Sequence, residues 1–138
     1  MSEQDVEVVR RAFKAFQKGM ASGNPAITFD LGLLSPDAKW IVPSGAGIQP
    51  EYEGRDGWLE FIKAWTEDFD WSIELAQAVD AGDGRVVVET HQRAAGKASG
   101  VPVELQMGGV WTVENGQVVR MENFFDLADA FAAAGLQD

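Results

Sequence analysis

The chain has 138 residues, with 22 Asp and Glu against 11 Lys and Arg, one histidine and no cysteine, for a formal net charge of −11. That length suits one domain over residues 1–138 that buries a core without staples, and the charge argues against nucleic acid or an anionic membrane surface as partner. Without cysteine there is no disulfide, thiolate nucleophile or cysteine metal site, and His91 is the only imidazole; the carboxylates show no metal-ligand spacing and no glycine-rich phosphate loop occurs, so neither a metal nor a cofactor is expected.

The N-terminal segment is acidic and then amphipathic, with no basic region leading into an apolar run. No stretch nears the ~18 apolar residues of a membrane span, and the expected setting is cytoplasmic. Val6, Val9, Phe13, Phe16 and Met20 recur at spacings of three and four, which predicts a helix over 3–20. Ser22-Gly23-Asn24-Pro25 stops it. A short second helix is predicted for 26–34 and, after the turn Ser35-Pro36-Asp37, a strand for 38–42. Residues 43–54 carry no helical or strand period and read as a loop long enough to rim a pocket. In 56–69, Trp58, Phe61, Ile62, Trp65 and Phe69 form one helical stripe.

From Trp71 the period switches to two, predicting strands at 71–79, 85–95, 101–114 and 117–125. Val103, Leu105, Met107, Gly109 and Trp111 share one strand face, and Asn115-Gly116 is a strong hairpin signal. A short helix is predicted at 127–134. This order gives an α+β class: a cone-shaped, curved antiparallel sheet wrapped over three N-terminal-side helices, with a short C-terminal helix and a conical cavity at the wide end.

Four stretches carry a family resemblance: Phe16-Gln17-Lys18-Gly19, Leu34 to Trp40, Tyr52-Glu53-Gly54-Arg55-Asp56-Gly57, and Gly108 to Val113 through Asn123-Phe124-Phe125-Asp126. In this order they resemble the nuclear transport factor 2-like superfamily, above all SnoaL-like and ketosteroid isomerase-like proteins. The resemblance implies a pocketed domain, a homodimer, and one of several activities that include isomerases, polyketide cyclases, epoxide hydrolases, dehydratases and non-catalytic binding modules. It does not choose among them.

The ketosteroid isomerase general base and its oxyanion partners fall on Val42, on Ala12 or Phe13, and on Gly109, none of which moves a proton. Against limonene epoxide hydrolase-like proteins, Asp126 matches one carboxylate. The Arg-x-Asp pair of that group falls on Thr90 and Gln92 or, with a one-residue slip, offers His91 and Arg93. Asp126 therefore has two readings: a general base at the cavity mouth among apolar neighbours, or the N-cap of the helix that follows. His91 depends on the hairpin around residues 96–100. Pairs whose numbers sum to an odd total place it outside with Glu89 and Arg93; an even total turns it inward, within reach of Asp126. Trp40 and Tyr52 flank the long loop as rim residues, and Gln92, Trp111 and Asn123 complete the expected substrate-binding set.

Two functions follow. One is a cofactor-independent cyclase, isomerase, dehydratase or epoxide hydrolase acting on a small hydrophobic ligand, with Asp126 and His91 as acid–base groups. The other is a non-catalytic ligand-binding or dimerisation module of the same fold.

Overall fold

The computed structural model describes residues 2–43 and 45–136. Helix α1 (Ser2–Ser22) presents Val9, Ala12, Phe13 and Ala15 as its buried face. A single turn, α2 (Ile27–Asp30), follows; it is shorter than the 26–34 predicted, because Leu34 is already taken into strand β1 (Leu34–Ile41) opposite Val118. The β1 register shifts between Leu34 and Lys39, across Pro36, which has no N–H to give to a ladder.

Strand β2 (Glu51–Glu53) lies inside the segment expected to be loop. It pairs antiparallel with the end of β1, Tyr52 opposite Trp40. Helix α3 (Gly54–Thr66) buries Trp58 and Ile62 and stops earlier than its apolar stripe suggested. Phe69 belongs instead to β3 (Phe69–Gly82), opposite Gly96. β4 (Arg85–Gly96), β5 (Pro102–Glu114) and β6 (Gln117–Phe124) complete a meander. The β5–β6 turn has positive φ at both Asn115 and Gly116, the geometry that a two-residue hairpin requires. α4 (Leu127–Ala133) closes the chain.

The six strands form one sheet in the order β2-β1-β6-β5-β4-β3. Every pairing is antiparallel except β1 with β6, which is parallel. The curved sheet has two apolar faces of unequal size. On the inner one, Trp40, Val86, Val88, Trp111 and Met121 pack with Val9, Phe13 and Trp58 from the helices. On the outer one, Val87 and Val110 meet Ala130 and Ala134 of α4. Full burial of one large apolar side chain contributes about 1.5–3 kcal/mol, so the inner face dominates the stability. No helix among the described residues is long and apolar enough to cross a membrane.

Gly108 allows α4 to lie directly on the sheet. A Cβ there would stand 2.8 Å from the Ala130 Cβ and 2.9 Å from the Leu127 Cα, and the second of these is backbone that cannot swing aside. Gly108→Ala is therefore expected to lift α4 and to cost about 1–3 kcal/mol, measured as a lower urea midpoint.

Candidate functional site

The inner face of the sheet is built from cross-strand rows. One runs Trp40–Met121–Trp111–Val86 and the next Asn123–Gly109–Val88. Further along β4, Thr90 lies opposite Met107 and Gln92 opposite Leu105. That register makes each pair sum to an odd total, so the even residues of β4 face inward. The helices roof these rows with aromatic rings. Trp58 lies 4.4 Å from Trp40 between ring centroids, Phe16 lies 5.3 Å from Trp58, and Phe13 lies 6.0 Å from Trp111.

The rings do not fill the space. A cavity of about 80 Å³ remains between floor and roof, several times the ~10–15 Å³ that one water needs on the same measure. Its walls are aromatic and aliphatic, broken by Thr28, Thr90, Gln92 and Asn123. No ionisable side chain among the described residues lines it.

These polar groups are only partly satisfied. Gln92 Nε2 donates to Thr90 Oγ1 at 3.2 Å and lies 3.1 Å from the Met107 sulfur. Asn123 Nδ2 donates to the Ile41 carbonyl at 3.2 Å. Four buried side-chain atoms have no hydrogen-bond partner among the described residues: Thr28 Oγ1, Trp40 Nε1, Gln92 Oε1 and Trp111 Nε1. All four belong to residues that line the cavity. Buried polar atoms are nearly always paired, and leaving one without a partner costs about 1–3 kcal/mol.

Of the expected substrate-binding residues, the structure brings Trp40, Gln92, Trp111 and Asn123 together around this space. Tyr52 stands apart. It is buried but outside the lining, its ring 5.7 Å from Phe61 and nearly edge-on. The two residues expected to carry acid–base chemistry are also outside the lining. Asp126 is exposed and caps α4, its Oδ1 accepting from the Ala128 N–H at 2.9 Å. His91 lies on the outer face, opposite Gln106, with its Nε2 2.9 Å from Glu89 Oε2.

Glu89 is the centre of a polar cluster that the sequence did not suggest. It is 9% exposed, and its carboxylate also accepts from Gln77 Nε2 at 2.8 Å and from Gln106 Nε2. The His91 hydrogen bond holds the Glu89 carboxyl below its ordinary value. Gln106, Gln77 and the charge of His91 pull the same way, against the upward push of burial. Thr28 and the roof rings Phe16, Trp58 and Trp65 were not expected in the lining either. Their helical stripes read as core, and only a polar residue beside an apolar face, as at Thr28, gave any signal.

A family model of the SnoaL-like domain matches residues 9–121. Among solved structures, an NTF2-like protein of unknown function from Burkholderia pseudomallei shares 26% identity, with 96% of this chain and 97% of that chain covered and a TM-score of 0.73. TerC, co-crystallised with polyporic acid, shares 20% identity over 96% of this chain and 98% of its own, with a TM-score of 0.72. An NTF2-like protein from Anabaena variabilis has 20% identity, coverage of 91% and 92%, and a TM-score of 0.72. No curated protein matches.

The Glu89 cluster and the Asp126 cap each lead to a measurable outcome. Folding lowers the Glu89 pKa from 4.5, so its ionised form stabilises the fold above that value, and the contribution is lost as pH falls through the lowered folded value. Glu89→Gln is expected to unfold in less urea than the wild type at pH 7, with a stability that varies less with pH in the acid range. Asp126→Ala is expected to cost about 0.5–2 kcal/mol in the same assay.

Proposed function

The chain belongs to the SnoaL-like domain family, and we propose that it binds a compact, uncharged and largely apolar ligand in the cavity beneath α1 and α3. The observation that carries this reading is the lining itself, which is mostly aromatic and aliphatic and, among the described residues, free of ionisable groups. A charged ligand would give up its hydration for no opposite charge, at a cost of several kcal/mol per ion. A neutral aromatic body gives up nothing of the kind and gains contact with Phe16, Trp58 and Trp65. The amides of Gln92 and Asn123 and the hydroxyl of Thr90 orient it, since polar atoms in an apolar pocket fix how a ligand lies.

The same observation favours a binding role over chemistry. A cyclase, isomerase, dehydratase or epoxide hydrolase working by carboxylate and imidazole needs a proton-transfer group within hydrogen-bond reach of the ligand. Asp126 is engaged as a helix cap, and His91 is engaged with Glu89 of the same strand on the outer face of the sheet. Neither is among the lining residues, and a ligand-binding module would use the cavity without either residue.

Ligand-observed NMR on the wild-type chain tests it with 2-naphthol and 2-naphthalenesulfonate at neutral pH. The neutral naphthol is expected to bind at least tenfold more tightly than the sulfonate. Asp126→Asn and His91→Gln are expected to leave the naphthol affinity within about twofold, while Gln92→Leu weakens it. Equal binding of the sulfonate would contradict a neutral-ligand cavity. Loss of naphthol binding in a folded Asp126→Asn chain would return that carboxylate to the site.

A further inference from the structure

We infer that the ligand of this cavity carries two hydrogen-bond acceptor oxygens, one met by the indole N–H of Trp40 and the other by that of Trp111, so that these two tryptophans determine specificity. The inference rests on the cavity being the ligand site, as proposed above.

An indole nitrogen is a donor only. Both of these are buried, with Trp40 at 1% and Trp111 at 7% exposure, and neither has a hydrogen-bond partner among the described residues. The chain satisfies such groups elsewhere. Trp58 Nε1 donates to the Pro25 carbonyl at 2.6 Å and Trp71 Nε1 to the Trp65 carbonyl at 2.7 Å. The contrast follows position. The two satisfied indoles reach backbone carbonyls, whereas the two on the cavity floor flank Met121 in one cross-strand row and meet none.

The other two orphaned atoms make a looser demand. The Thr28 hydroxyl donates or accepts as its partner requires, and the Gln92 amide can present either its oxygen or its nitrogen after a flip. The indoles have no such freedom. Trp40 is wedged between Trp58, at 4.4 Å, and Phe29, at 5.9 Å, while Trp111 lies tilted against Phe13. Two adjacent strand spacings separate their backbones by about 10 Å, which suits two oxygens on different edges of one flat molecule. The ligand class is a neutral ring system bearing two carbonyl or ether oxygens.

The test compares 1,4-naphthoquinone, which has two acceptors and no donor, with naphthalene, which has the same carbon skeleton and neither. The chain has no cysteine, so no thiol is present to add to the quinone. Dissociation constants are measured by ligand-observed NMR for the wild type, Trp40→Phe and Trp111→Phe. The wild type is expected to prefer the quinone. Each variant is expected to lose about two- to tenfold in quinone affinity, the worth of one hydrogen bond, with naphthalene unchanged or tighter. A second measurement needs no variant to hold its fold: in ¹H–¹⁵N spectra of the wild type, two buried indole resonances shift on adding quinone and none shifts comparably with naphthalene. Equal loss of both probes in the variants, or quinone binding without indole shifts, would overturn the acceptor assignment and leave the cavity in place. If neither probe binds the wild type, the cavity reading falls and this inference with it.

Discussion

One hairpin register governs the chemistry of both faces of the sheet. With Gln92 opposite Leu105 and His91 opposite Gln106, Val88, Thr90 and Gln92 point toward the helices, and Glu89, His91 and Arg93 point away. A slip of one residue would exchange the two sets. It would drive a carboxylate and an imidazole into the aromatic core and expose two valines' worth of floor. The fold resists that slip from both sides: Val86 and Val88 are fully buried beneath the helices, and Val87 is as fully buried beneath α4.

The register also divides the polar groups into two kinds. Outside, Glu89 gathers Gln77, His91 and Gln106 around one carboxylate, and its hydrogen-bonding capacity is used within the protein. Inside, the amide of Gln92 and the two floor indoles keep capacity in reserve. A satisfied polar network and a face with unused hydrogen-bonding capacity thus stand back to back across a single layer of backbone.

Much of this architecture was legible in the sequence because it is periodic. The stripes through Phe13 and Phe16 and through Trp58 and Phe61, the odd-numbered face of β5 and the Asn115-Gly116 turn each repeat a local rule. What escaped has no period. β2 is three residues long with one apolar side chain, Tyr52, and it exists only because the end of β1 lies beside it. The parallel pairing of β1 with β6 is a contact between distant segments that no local pattern encodes. His91 stayed open because Val86-Val87-Val88 does not alternate, the sheet being apolar on both sides at that level. Asp126 stayed open for a different reason: a carboxylate before a short helix satisfies a capping rule and a family motif equally, the two roles are compatible, and its bond to Ala128 shows the cap. Of the candidate ligand groups, Gln92, Trp111 and Asn123 follow from alternation and Trp40 from its place beside the long loop, whereas Tyr52, chosen on the same ground as Trp40, packs against Phe61 outside the lining.

A cavity with no ionisable wall among the described residues has a consequence for the acid–base state of whatever enters it. Binding the ligand proposed above, it would act as a small organic phase that extracts the neutral species from a mixture of protonation states. A weakly acidic guest is then held protonated to higher pH than in water, and a weakly basic one is held deprotonated to lower pH. Each tenfold preference for the neutral form moves the apparent pKa of the guest by about one unit. Solvation alone would thereby set the reactivity of a bound molecule, and the protein would alter a proton equilibrium without offering or accepting a proton.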